Sequence, residues 1–288
     1  MLILLWHALR PIEYAIETAM NKVVVSTDHS HCSYHIYQPN QSDCPLLLLH
    51  GTNSDGLASY SSVLDAFDHR EIIVPDYAGC GDSSLPNHEL TVSALADQVS
   101  AIINERGSRK VDLVGHSLGA TVAAYVAAQH PDFINRLVLS APWCHGDDPR
   151  HQLVFNTWQT LEEIAPQQAT AFGLSHVLSP TFLSNMDPEL IARICATKGL
   201  PDTHRRIALG KDLDIRQYLS KIQAPTLVLA MAFDTLVPPY RAQEVQAAIP
   251  HSEYDEIPSG HAVQLERPYP WANRIKRFLT TSHLEISY

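Results

Sequence analysis

From Lys22 onward, short apolar runs alternate with longer stretches whose apolar residues recur at helical spacing, the pattern of a sheet assembled from strand–helix units. Val23 to Ser26 and Ser33 to Tyr37 alternate along the chain and predict an opening hairpin. Pro45 to Leu49 is apolar throughout, as expected of a strand buried on both faces. Glu71 to Pro75, Lys110 to Val114 and Arg136 to Leu139 repeat that pattern, and Thr226 to Ala230 and Tyr254 to Ile257 do so near the end. Between these runs, Thr91 to Arg106, Leu118 to Gln129, Arg241 to Ala248 and Pro270 to Leu279 carry helical spacing. Pro131 and Pro250 close two of those helices. The sheet is expected to be mostly parallel.

The alternation fails between Trp143 and Ile222. That stretch predicts several short helices punctuated by Pro149, Pro166, Pro180, Pro188 and Pro201, inserted after one core strand and before the next. The expected organisation is therefore an α/β core over 22–142 and 223–288, a helical insertion over 143–222, and an N-terminal extension over 1–21. Met1 to Leu9 is apolar but is interrupted by His7 and meets Arg10 and Pro11 well short of a membrane span of about 20 residues. This segment predicts a short amphipathic helix, with no stable membrane insertion and no secretion signal.

Composition narrows the function. The chain has 288 residues, of which 45% are hydrophobic and 18% charged, as in a globular protein with one main domain. A net charge of -11 and no concentrated basic face argue against a nucleic-acid partner. Cys32, Cys44, Cys80, Cys144 and Cys195 are scattered, odd in number and free of C-x-x-C pairs. A reducing, cytoplasmic setting fits them better than a disulfide framework or a zinc ribbon. His29, His31, Cys32 and His35 lie close in sequence, but on an alternating strand the histidines share one face and the cysteine takes the other, which disfavours a metal. No G-x-G-x-x-G follows a strand and there is no P-loop, so no dinucleotide or other cofactor is expected.

One short motif carries chemistry. Gly115-His116-Ser117-Leu118-Gly119 is a G-x-S-x-G sequence placed where an apolar strand meets a helix of small residues. That turn is strained, it needs glycine on either side of the serine, and it forces the hydroxyl out at the C-terminal sheet edge, where ligands bind in open α/β folds. Ser117 is the candidate nucleophile. The adjacent His116 is expected to point away from it and serve packing.

In these residues the chain resembles the α/β-hydrolase superfamily, and the resemblance runs from Lys22 to Leu279. His50-Gly51-Thr52 follows a buried strand where that family places half of its oxyanion hole, and Asp76 to Ser83 looks like its D-x-x-G-x-G-x-S turn. The resemblance implies an eight-stranded, mostly parallel sheet flanked by helices, with the 143–222 insertion as a helical cap. It also implies the chain order serine, acid, histidine. Phe233-Asp234 and Ser259-Gly260-His261 each follow a predicted strand, so Asp234 is the expected acid and His261 the expected base, with Asp147 or Asp148 as a displaced acid. Backbone N–H groups of Thr52 and Leu118 are the implied oxyanion donors.

The implied activity is hydrolysis of an ester, thioester or lactone of a small to medium apolar substrate through an acyl-enzyme. Trp143, Phe155 and Trp158, with Phe172 and Phe182, are candidates to line its pocket. Thioesterase, acyltransferase or cyclase activity on a biosynthetic intermediate shares the same residues. Serine at position 117 argues against dehalogenases and epoxide hydrolases, which use aspartate there. Leu118, where C–C hydrolases, enol-lactonases and haloperoxidases more often carry methionine, makes those less favoured. An intact serine, acid and histidine set argues against a silent ligand-binding scaffold. The expected partner is a small acyl substrate, and the chain is expected to be a monomer or homodimer.

Overall fold

Every predicted strand is present in the computed structural model, which describes residues 20–27, 30–39, 44–67, 70–107, 110–197 and 199–281. Most of the N-terminal extension, and His29, lie outside the described residues. The strands are β1 (Met20–Ser26), β2 (His31–Tyr37), β3 (Leu46–Leu49), β4 (Ile72–Pro75), β5 (Val111–His116), β6 (Ile134–Ser140), β7 (Thr226–Met231) and β8 (Ser252–Ile257). They form one eight-stranded sheet in the order β1-β2-β4-β3-β5-β6-β7-β8. β2 is antiparallel to both β1 and β4, and every other pairing is parallel.

Helices cover both faces, which is why β3, β4, β5 and β7 are buried along their whole length. The two-residue period of β3 divides its four leucines between two cores. Leu47 and Leu49 face α2 (Val92–Glu105) and α3 (Leu118–Gln129), while Leu46 and Leu48 pack with α1 (Gly56–Tyr60) and with Trp271, Ile275 and Phe278 near the C-terminus. Thr91 caps α2 by accepting the Ala94 N–H at 3.1 Å.

Between β6 and β7 lie α4 (Pro149–Ile164), α5 (Pro166–Val177), α6 (Pro180–Ser184), α7 (Pro188–Ala196), α8 (Thr203–Asp212) and α9 (Arg216–Leu219). Each of α4 to α7 begins on a proline, where the missing N–H has no intrahelical partner to lose. The prolines thus set where these helices start. Asp148, Ser179 and Asp187 cap three of them through their side chains. The insertion has no core of its own: Trp143, Phe155, Leu174, Val177 and Ile207 belong to the cluster that holds Leu47, Leu49 and Leu118.

After β7 come α10 (Pro239–Ala248), β8, α11 (Val263–Glu266) and α12 (Pro268–Thr280). α12 starts two residues before the predicted boundary because Pro268, not Pro270, takes the first helical position. Since β5, β6, β7 and β8 are parallel neighbours, the loops that leave β5, β7 and β8 emerge at one edge of the sheet. Among the described residues, no helix is long and apolar enough to cross a membrane.

Candidate active site

Ser117 sits between β5 and α3 at φ 58 and ψ -126, a conformation that costs a non-glycine residue about 1–3 kcal/mol. The surrounding structure holds it there. Its N–H donates to Ser140 O on β6 at 2.8 Å. The two flanking glycines permit the close approach that makes the turn: a Cβ on Gly115 would lie 2.1 Å from Gly119 O, and one on Gly119 would lie 2.2 Å from Leu49 O.

The loops after β7 and β8 bring Asp234 and His261 to the serine. His261 Nε2 is 2.8 Å from Ser117 Oγ, and His261 Nδ1 is 2.6 Å from Asp234 Oδ2. The other carboxylate oxygen, Asp234 Oδ1, accepts the backbone N–H groups of Leu236 and Val237, both at 2.8 Å. A carboxylate can only accept, so Nδ1 carries the imidazole proton and Nε2 presents its lone pair to the hydroxyl. All three side chains are buried.

His50 holds the opposite wall. Its Nε2 accepts the Tyr77 N–H at 3.0 Å, which leaves Nδ1 to donate to Gly51 O at 2.8 Å. Burial pushes its pKa down to about 4, so the ring is neutral and serves the loop. His116 likewise makes no hydrogen bond to Ser117. Trp271 Nε1 donates to Ser140 Oγ at 3.0 Å, which turns the Ser140 hydroxyl proton toward His116 Nδ1 at 3.1 Å. Its ring lies 4.9 Å from that of His261, and burial holds its pKa well below the usual histidine range.

A cavity of about 40 Å³ opens over Ser117, bounded by Thr52, His261, Phe155, Trp158, Val177 and Leu236 among others. The structure therefore brings Ser117, Asp234, His261, Thr52, Phe155 and Trp158 together, with Leu118 directly after the serine at the start of α3. Trp143 does not reach the cavity: it packs against Phe155 at a ring separation of 6.0 Å and donates its indole N–H to Gly210 O at 3.1 Å. Phe172 and Phe182 pack on the core and are not among the lining residues. Asp147 pairs with Arg216, and Asp148 caps α4 while accepting the Tyr240 hydroxyl, so neither faces His261.

Residues absent from the predicted set also build the site. Leu236 and Val177 complete its apolar wall. Glu266, at the end of α11, ties the His261 loop to the insertion: it accepts Ser179 N and Ser179 Oγ, each at 2.7 Å, and Gly260 N at 3.2 Å. Leu236 had a signal, since it lies two residues beyond Asp234; Val177 and Glu266 had none, because nothing local marks which surface residue another element will cover. Among the described residues, Cys144, His145 and Glu244 could converge on a metal ion, but Arg241 Nη1 already donates to Glu244 at 2.8 Å and sits 3.2 Å from His145 Nε2. A guanidinium in that place opposes a cation.

Known proteins share this architecture. Residues 45–268 match the model of the alpha/beta hydrolase fold family. The chain is 28% identical over 239 residues to a pyrrolizixenacetamide deacetylase of Xenorhabdus hominickii, covering 81% of this chain and 90% of that one. It is 28% identical over 255 residues to a protein of Agrobacterium fabrum provisionally named a carbamate hydrolase, covering 85% and 97%. A thermophilic esterase from Thermogutta terrifontis superposes with a TM-score of 0.76 at 25% identity, covering 90% of this chain and 98% of that one. With a family model spanning most of its length and the matching eight-stranded sheet, the chain belongs to the alpha/beta hydrolase fold family.

Proposed function

We propose that the protein is a serine hydrolase that cleaves an ester, thioester or lactone through an acyl-enzyme on Ser117. The observation that carries this reading is the continuous hydrogen-bonded chain from Asp234 through His261 to Ser117, which fixes the imidazole in the one tautomer able to accept the serine proton. As Ser117 Oγ bonds to the carbonyl carbon, His261 Nε2 takes its proton, and Asp234 stabilises the imidazolium that results. The carbonyl oxygen becomes an oxyanion held by the N–H groups of Thr52 and Leu118. Collapse breaks the bond to the leaving group, which departs with the proton from His261. Water then repeats the sequence on the acyl-enzyme and frees the acid.

The helices between β6 and β7 act in this reading as a cap. The small apolar space beneath Phe155 and Trp158 suits a compact acyl group, because a bulky one would have to displace the insertion. A second reading keeps the residues and changes the bond. The relatives named as a pyrrolizixenacetamide deacetylase and, provisionally, as a carbamate hydrolase suit an amide or carbamate carbonyl, whose amine leaves with the His261 proton.

A fluorophosphonate probe tests the common core. It is expected to label Ser117, and Ser117→Ala is expected to abolish both labelling and p-nitrophenyl acetate turnover; an adduct elsewhere, or turnover surviving in the variant, overturns the reading. Comparing p-nitrophenyl acetate with the matching anilide then separates ester from amide cleavage.

A further inference from the structure

Arg206, on α8 of the insertion, is 1% exposed, and among the described residues no carboxylate lies within ion-pair distance of it, although Glu162 feels its charge from further away. The equally buried Arg241 differs, because Glu244 lies 2.8 Å from its Nη1. A buried cation without a counter-charge is costly unless its donors are used and some nearby negative charge needs it. The donors of Arg206 go to neutral oxygens: Nε to Thr52 O at 3.0 Å, Nη1 to Gly79 O at 3.3 Å, and Nη2 to Pro201 O at 2.9 Å and Thr203 Oγ1 at 3.1 Å.

The bond to Thr52 matters most. Two peptide planes meet at that residue. The plane that carries the Thr52 N–H also carries Gly51 O, which His50 Nδ1 holds at 2.8 Å; the next plane carries Thr52 O, which Arg206 holds. The described peptide bonds are all trans, so the Thr52 N–H points opposite to Gly51 O. Both rotations about Thr52 are thus fixed from outside the cavity, one by the core and one by the insertion.

We propose that Arg206 is a positioning residue for anion stabilisation: together with His50 it fixes the Thr52 backbone so that the Thr52 N–H faces the oxygen that becomes negative on Ser117, and it lends that oxygen a positive charge. The inference rests on the reading of Thr52 as an oxyanion donor. It makes the insertion part of the catalytic machinery as well as a cover, since the hole is fully set only when α8 is docked. The charge acts where charge develops, so its effect belongs to the transition state rather than to the bound substrate.

The test uses the full chain and its Arg206→Met, Arg206→Gln and Arg206→Lys variants, with active sites counted by fluorophosphonate titration. With p-nitrophenyl acetate, Arg206→Met is expected to lower kcat per active site about 10–100-fold, a share of what loss of a whole oxyanion donor costs, while KM moves less than about 3-fold. Affinity for a trifluoromethyl ketone, which forms an oxyanion adduct with the serine, is expected to fall by a similar factor, and Arg206→Lys is expected to recover part of both. Were Arg206 merely packing, the variants would lose melting temperature or active-site count while kcat per site and ketone affinity stayed at wild-type values; that result overturns the proposal. If Arg206→Met does not fold, Arg206→Gln against Arg206→Lys decides by the same criterion. Wild-type chain labelled at Ser117 but indifferent to residue 206 sinks this inference alone, whereas wild-type chain unlabelled at Ser117 sinks the reading beneath it as well.

Discussion

Asp234 gives its two oxygens different tasks, and that division makes a sharp prediction. Oδ1 takes two backbone N–H groups, and Oδ2 takes the His261 proton. In Asp234→Asn the amide oxygen stays with the backbone donors, so the NH2 group meets His261 Nδ1 and forces the proton onto Nε2. The imidazole then donates to Ser117 and cannot act as its base. A loss of about 10³–10⁴-fold in kcat is expected with little change in melting temperature, measured on p-nitrophenyl acetate. Retention of wild-type kcat would remove Asp234 from the reaction. Ser117 and Asp234 could be read from the chain because each follows a buried apolar strand and His261 because it holds the family's last place in chain order, although β8 before it is largely polar; strand ends in a parallel sheet share an edge. Arg206 could not, because Thr203-His204-Arg205-Arg206 has the look of a solvated helical turn and only docking buries its last member.

At the scale of elements, α4 brings Phe155 and Trp158 onto one wall of the cavity, while its neighbour Trp143, in the loop after β6, backs that wall. Trp158 is 4% exposed, and shortening it to alanine opens space above the serine. Each methylene placed in an apolar pocket changes selectivity by about 10–200-fold, so Trp158→Ala is expected to raise the octanoate-to-acetate ratio of kcat/KM at least 10-fold across p-nitrophenyl esters. An unchanged chain-length profile would show that this wall does not touch the acyl group. The run of helices between β6 and β7 followed from the break in strand–helix alternation. Which of its aromatics reach the site did not, because Trp143, Phe155, Trp158, Phe172 and Phe182 are equally apolar and only the angle of each helix to the sheet tells them apart.

The whole molecule should respond to acid through groups that the reaction does not use. Burial lowers His50 and His151 to about 4 and His116 well below its ordinary value, so the folded chain refuses protons that the unfolded chain takes up below about pH 6.5. Stability from these groups is complete above that pH and is lost as pH falls toward 4. Asp76 opposes them: burial raises it to about 7, so the folded state keeps a proton that the unfolded carboxylate releases, and its contribution shrinks as pH rises through the same window. The histidines outnumber it, leaving a net of roughly one to two protons, or about 1–3 kcal/mol of stability lost per pH unit. The urea midpoint is expected to fall clearly between pH 7 and pH 5; an equal or higher midpoint at pH 5 would contradict this balance. Sixteen histidines in the sequence say nothing of this response, which depends on the few the fold encloses.

The strand order has a temporal meaning for a chain that grows from one end. The turn that holds Ser117 rests against β3, β5 and β6, whereas His261, its proposed base, lies 144 residues further on, in the loop after the edge strand β8. A nascent chain therefore carries its serine long before it carries a group able to activate it. If Ser117 and His261 act as proposed, hydrolysis begins only when β8 joins the sheet, and the last strand laid down keeps incomplete molecules inert.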